Sequence, residues 1–176
     1  SVSDIGRNNI TSCFELLHLI CFADPKYGAT SFKPLCNFLD VQYLAGDMPK
    51  PNLISHVASI LALIIPEVQH LTRVESDRTT INTLLTKLHH FIFTASGMLA
   101  DAIESCVRCV AVLCEKVNHV SFMRINLETL QSHILKTREA TGTQNLGRLV
   151  IVLGFLIKHY DFEKHVPNGN CLESAL

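Results

Sequence analysis

The sequence predicts an all-α protein of the HEAT or armadillo type, a stack of antiparallel helical hairpins. Three observations point there. Apolar residues recur repeatedly at the three-and-four spacing of a buried helix face. Strand signals are weak, with no sustained alternation and no hairpin dipeptide between β-branched runs. Helices of similar length are separated by short polar breaks, several marked by Pro or Gly.

Ile10 to Phe22 forms the first helix, with Phe14, Leu17, Ile20 and Cys21 on one side. Asp24-Pro25 breaks it, because the residue before proline avoids the helical region. Ser31 to Leu39 is a short second helix, and Tyr43 to Pro51 is a loop holding Gly46-Asp47. Pro51 to His70 carries Leu53, Ile54, Val57, Ile60, Leu61, Ile64 and Ile65 on one buried face. Pro66 cannot donate to the backbone ladder, so a kink or an end is expected there. Ser76 or Asp77 caps the next helix, whose stripe is Ile81, Leu84, Leu85, Leu88 and Ile92. Ser96-Gly97 stops it. Met98 to Val117 follows, with Ile103, Cys106, Val110, Leu113 and Val117 as its stripe. A turn at Asn118-His119 leads to a helix from Phe122 to Ala140. Gly142 suits a C-cap, and Thr143 starts the last long helix.

Connections this short make sequential helices antiparallel neighbours. Two hairpins, Pro51 to Ala95 and Met98 to Ala140, recur near the roughly 40–47 residues of a HEAT or armadillo unit. The chain is therefore expected to be one helical-repeat segment, 1–176, with its repeat core at 50–165. In such an array each unit buries its face against its neighbours, and the outward helices offer an extended surface to large partners.

A hydrophobic content of 48% with 18% charged residues fits a well-buried globular chain. No apolar run approaches the roughly 18 residues of a spanning helix, so no membrane role is expected. Residues 1–9 lack the basic flank and apolar stretch of a signal peptide. The chain does not begin with Met and is expected to be a piece of something longer. A net charge of −1 supplies no bulk field for nucleic acid, so any DNA contact must come from a patch the fold gathers. Seven cysteines, mostly within apolar helical stretches, suggest reduced thiols and an intracellular setting.

Cys106-Val107-Arg108-Cys109 has the spacing of a metal or redox motif. It lies mid-helix on an apolar face with no second ligand pair, so core packing is the expectation and no metal or cofactor is implied. Nine histidines are scattered, none beside a nucleophile setting, and no phosphate loop or zinc-protease motif is present. No catalysis is expected. Gly147 and Gly154 lie seven apart near one face of the last helix, where each costs about 1 kcal/mol against Ala. Close approach of a neighbouring helix would account for them. Basic residues of the C-terminal half, including Arg108, Lys116, Arg124, Arg148 and Lys158, bind phosphate only if the fold converges several of them.

Three segments carry a resemblance. Glu104 to Asn118 holds Cys106, Cys109, Lys116 and Val117 around an apolar run. The last helix holds Arg148-Leu149, a central Gly154, then Lys158, His159, Tyr160, Asp161 and Phe162. Ile60 to His70 contains an apolar stretch, Pro66 and a following His. In this order they resemble the adherins, the large subunit of the cohesin loader (Nipped-B and Nipped-B-like proteins). The resemblance covers roughly residues 45 to 165, and residues before it match only loosely around Asp24-Pro25.

The resemblance implies a segment of a large, hook-shaped HEAT-repeat protein of the nucleus. That family loads cohesin onto chromatin, stimulates the cohesin ATPase, and contacts DNA without an active site of its own. Implied partners are the cohesin ATPase heads and kleisin, and double-stranded DNA. A smaller loader subunit binds through an N-terminal region not contained in this sequence. Lys116, Arg124, Arg148 and Lys158, on or near the matching segments, are the candidates for DNA or cohesin contact. A first-turn hydrogen bond or a salt bridge to Asp161 or Glu139 is the structural alternative for Arg148. The rival expectation is a generic HEAT or armadillo scaffold, such as a transport receptor or condensin-type subunit.

Overall fold

The structure is a computed structural model and describes residues 2–44, 49–68, 75–117, 128–132, 134–136 and 144–161. Every regular element among them is helical. Helix α1 spans Val2–Ala23 and α2 is a single turn, Pro25–Gly28, capped by the Asp24 carboxylate. A 3-10 turn then leads into α3, Phe32–Leu44. Helix α4 spans Pro51–Ile64 and runs out in a 3-10 turn, Ile65–Glu67. Helix α5, Glu75–His89, widens into a π-helix over His90–Thr94. Helix α6 spans Ala100–Val117, residues 128–132 and 134–136 are helical, and α7 spans Gln144–His159.

Contacts between helices define two rows. Helices α1, α4, α6 and α7 pack each on the next, and α4 against α6 is the most extensive contact. Helices α3 and α5 pack on each other, α3 also on α4 and α5 on α6. Helix direction follows from contacts at both ends. Ser55 meets Ser105 near the start of α4 and α6, and Lys116 reaches the Pro66 carbonyl near their ends, each pair 50 residues apart in the chain. A constant offset means that α4 and α6 run the same way. Helix α5 must therefore carry the chain back between them. Helices α3 and α5 are also parallel to each other, since Asp40 pairs with Lys87 and, one turn on, Tyr43 packs edge-on against His90 at 5.0 Å. Helix α1 follows the direction of α4. His18 lies near His56, and a turn later Cys21 shares the contact between Gly28 and Ile64. A side chain at Gly28 would stand 2.4 Å from the Cys21 sulfur and 2.6 Å from Ile64, so glycine permits this approach.

The core lies where the rows meet. All seven residues expected on the α4 face are buried, as are all five of the α5 stripe. Each fully buried Leu or Ile contributes about 1.5–3 kcal/mol. Helix α6 is buried well beyond its expected stripe, with Ala102, Val107, Cys109, Ala111 and Cys114 also covered.

Several boundaries differ from expectation. Helix α1 starts at Val2, not Ile10, and Ile20 on its expected buried side is 45% exposed. Helix α3 continues through Tyr43 and Leu44, beyond the expected end at Leu39. Helix α4 ends at Ile64 rather than His70, two residues before the proline that cannot extend the ladder. Helix α5 already contains Ser76 and Asp77, so neither is its cap. At its far end the backbone turns at Gly97, whose φ of +69° favours glycine. The Asn118-His119 turn, the Phe122–Ala140 helix apart from 128–132 and 134–136, and the Gly142 cap with Thr143 lie outside the described residues.

The two glycines of α7 do not mark a close approach. Both are exposed, and a Cβ on either would meet nothing within 4 Å. They lie on an outward face with Val150, Ile151 and Ile157, all exposed. At the other end of the row α1 likewise exposes Leu16, Leu19 and Phe22.

Candidate interaction surface

The solvent side of the row carries a polar strip. On α4 it begins with Asn52, Ser55, His56 and Ser59, one helical face left free of the buried set. On α6 the matching face holds Asp101, Ser105 and Arg108. Ser105 bridges the helices. Its single proton goes to the Asp101 carbonyl at 2.9 Å, so its oxygen accepts from Ser55 at 2.9 Å and Ser59 at 3.1 Å. The three hydroxyls thus satisfy one another where a larger side chain would push α4 and α6 apart.

His18 on α1, His56 on α4 and Arg108 on α6 also stand on partly or fully exposed positions of these helices. Burial lowers the pKa of His18, and the charges of His56 and Arg108 lower it further. His18 and His56 are half-buried, and Arg108 is exposed.

Helix α7 is held by charged groups at both its ends, to α6 at one and to the end of α5 at the other. The Lys158 ammonium donates to Glu104 Oε1 at 2.6 Å, and His159 Nε2 lies 2.9 Å from the same oxygen. Hydrogen bonds from Lys158 and His159 hold the Glu104 carboxyl below its ordinary pKa, although partial burial acts the other way. At the opposite end, the Arg148 guanidinium donates to three backbone carbonyls: Phe91 at 2.6 Å, Ile92 at 2.8 Å and Ala95 at 2.7 Å. These carbonyls lie in and after the π-helix, where the Ala95 N–H closes on His90, five residues back, at 2.8 Å. The last carbonyls of a helix have no intrahelical donor and carry the negative end of its dipole. Arg148 supplies both the donors and the positive charge.

The four expected contact residues therefore fare differently. Arg148 is half-buried and donates to three carbonyls within the fold; Glu139, one of the acids expected to pair with it, lies outside the described residues. Lys158 holds Glu104 but keeps 62% of its side chain exposed. Lys116 is exposed and donates to the Pro66 carbonyl, closing the end of α4. Arg124 lies outside the described residues. Arg148, Lys116 and Lys158 do not form one patch: they pin three separate helix ends. Sequence reasoning did not pick out Glu104, nor the meeting of Ser55 with Ser105. That register is not visible in a single helix.

Cys106 and Cys109 are fully buried. Burial pushes the Cys106 thiol up to about 12 and Cys109 well above its ordinary value, so both stay protonated core groups. No group of three His, Cys, Asp or Glu able to hold a metal occurs among the described residues. Nor is any described helix long and apolar enough to cross a membrane.

Comparison with known proteins found no matching family model, no similar curated protein and no similar solved structure.

Proposed function

We propose that this chain is a segment of a HEAT-type α-solenoid that works as a scaffold in a cohesin-loading factor, binding cohesin and DNA. The observation that carries the array reading is the constant-offset stacking. Helix α4 lies parallel to α6, and α3 parallel to α5, with a return helix between. Repetition of one helix pair along the chain produces this pattern. The apolar outward faces of α1 and α7 agree with it, since interior members of the row bury such faces against the next helix.

The loader reading itself rests on the sequence resemblance. The geometry gives the described part of its strongest segment, Arg148 to Asp161, a physical sense. Arg148 caps the α5 end, Lys158 and His159 hold α6, and Tyr160 is buried. The segment is a staple between units. Direct contact with DNA or cohesin then falls to Lys116, Arg124 and the exposed part of Lys158, and not to Arg148. Such a scaffold acts by holding its partners, needs no active site and works in the nucleus at chromatin.

A near-neutral charge and a mixed polar and apolar outward strip favour a second reading, a protein-binding scaffold outside cohesin loading. Capture of the intact parent protein from nuclear extract, read by mass spectrometry, separates the two. Recovery of cohesin ATPase subunits is expected. Recovery of transport cargo or other scaffold partners without cohesin would overturn the loader reading and leave the repeat fold standing.

A further inference from the structure

We propose that the cleft between the α2 turn and the end of α4 binds a small zwitterion, an apolar α-amino acid. The cleft holds about 450 Å³ and is lined by Lys26, Ala29, Thr30, Glu67 and Val68. Ligand pockets span roughly 300–1,000 Å³. Two short turns form its walls. One is α2 with the 3-10 turn after it, Pro25–Gly28 and Ala29–Ser31. The other is the 3-10 turn Ile65–Glu67, from which Val68 leaves in an extended conformation. Gly28 ties the walls together, because its missing Cβ lets the backbone close on Ile64. The Asp24 carboxylate fixes the start of the first wall, accepting from the Lys26 backbone N–H at 3.1 Å. The cleft lies just beyond the Gly28 contact on both walls.

The lining brings one ammonium, one carboxylate and one hydroxyl to a single space. Among the described residues none of these three side chains has a hydrogen bond or an ion pair, and Lys26 and Glu67 do not pair with each other. Lys116 is engaged at the neighbouring Pro66 carbonyl. A cation alone would meet Lys26, and an anion alone would meet Glu67. A zwitterion satisfies both, its carboxylate accepting from Lys26 and its ammonium donating to Glu67. Thr30 offers a further hydroxyl, and Ala29 and Val68 offer methyl groups to an apolar side chain. Lys26 is exposed and Glu67 half-buried, so each ion contact is of the modest, solvent-screened kind. The site stands on the described geometry and does not depend on the cohesin reading.

Three probes separate the two charges. Backbone amide signals of the full chain, followed by NMR during titration with L-leucine, should show saturable shifts at Ala29, Thr30 and Val68. N-acetyl-leucine lacks the ammonium and leucine amide lacks the carboxylate, and each should bind about fivefold more weakly. Lys26→Met should erase the advantage of leucine over leucine amide and keep its advantage over N-acetyl-leucine. Glu67→Gln should do the reverse. Neither side chain is paired among the described residues, so both variants should keep the wild-type melting temperature. Should one melt lower, the three ligands on the wild type and on the other variant make the same test. Leucine binding no tighter than either derivative would overturn the proposal. So would preferences that neither variant changes, or shifts that do not saturate.

Discussion

Helix α6 is held on its two sides by different means. Toward α4 the contact is broad and apolar. Eight residues of α4 are buried, and the polar groups at the seam are three serines. Toward α7 it is narrow. Among the described side chains of that helix Leu149, Val152 and Leu156 are buried, Lys158 and His159 hold Glu104 of α6, and Arg148 at the other end holds the end of α5. An apolar face fixes distance but is tolerant of sliding. A guanidinium on three carbonyls, and a carboxylate held by two bases, fix position. The broad contact should supply most of the stability, and the narrow one most of the register.

The largest effect tests the broad side. Leu61 is fully buried, and Leu61→Ala should cost about 3 kcal/mol in urea unfolding. A loss under about 1 kcal/mol would mean that the α4–α6 contact does not dominate. Next comes the Arg148 pin. Arg148→Met should cost about 2 kcal/mol, because three carbonyls lose charged donors. Arg148→Lys should recover only part, since one ammonium cannot reproduce the fork. Hydrogen exchange should quicken first at the Ala95 amide, which closes the π-helix. Equal quickening throughout the chain would make Arg148 an ordinary core contributor.

The Glu104 pin is weaker, because Lys158 is largely exposed. Glu104→Gln should cost under about 1 kcal/mol, and less in high salt. The native pKa of Glu104 lies below its ordinary 4.5. Its contribution is therefore present above pH 4.5 and is lost as pH falls through the native value. The wild-type and Glu104→Gln stability curves should converge over that acidic window and stay apart above it. Parallel curves would remove the pin. The smallest effect is of opposite sign. Gly154 lies mid-helix with open space around it, so Gly154→Ala should stabilise by about 0.5 kcal/mol. A loss would restore the close approach that its spacing first suggested.

The same contrast explains what the sequence made legible. The α4 and α5 stripes were readable because each follows from one helix burying one face. Ile20 misled because it shares their spacing, yet stands on the outermost helix of the row, where only part of the surface is covered. The π-helix was not readable. Its carbonyls are satisfied by an arginine more than fifty residues away, a contact that no local pattern encodes. For the same reason Arg148 looked like a candidate for phosphate. A lone basic residue at a helix start carries no sign of the carbonyls the fold will bring to it. The meeting of Ser55 with Ser105 depends on the registers of two helices at once.

The buried thiols have a practical consequence. Cys13 is exposed, while Cys21, Cys36, Cys106, Cys109 and Cys114 are covered. A thiolate is the reactive form, and burial holds Cys36, Cys106 and Cys114 near 12. Among these six, an alkylating reagent should thus mark Cys13 at once and each of the five covered thiols only when its covering helix parts. Cys21 times the departure of α1, Cys36 that of α3, and the three on α6 the opening of the centre. The chain carries its own set of clocks, and the order of their alkylation would give the sequence in which the stack comes apart.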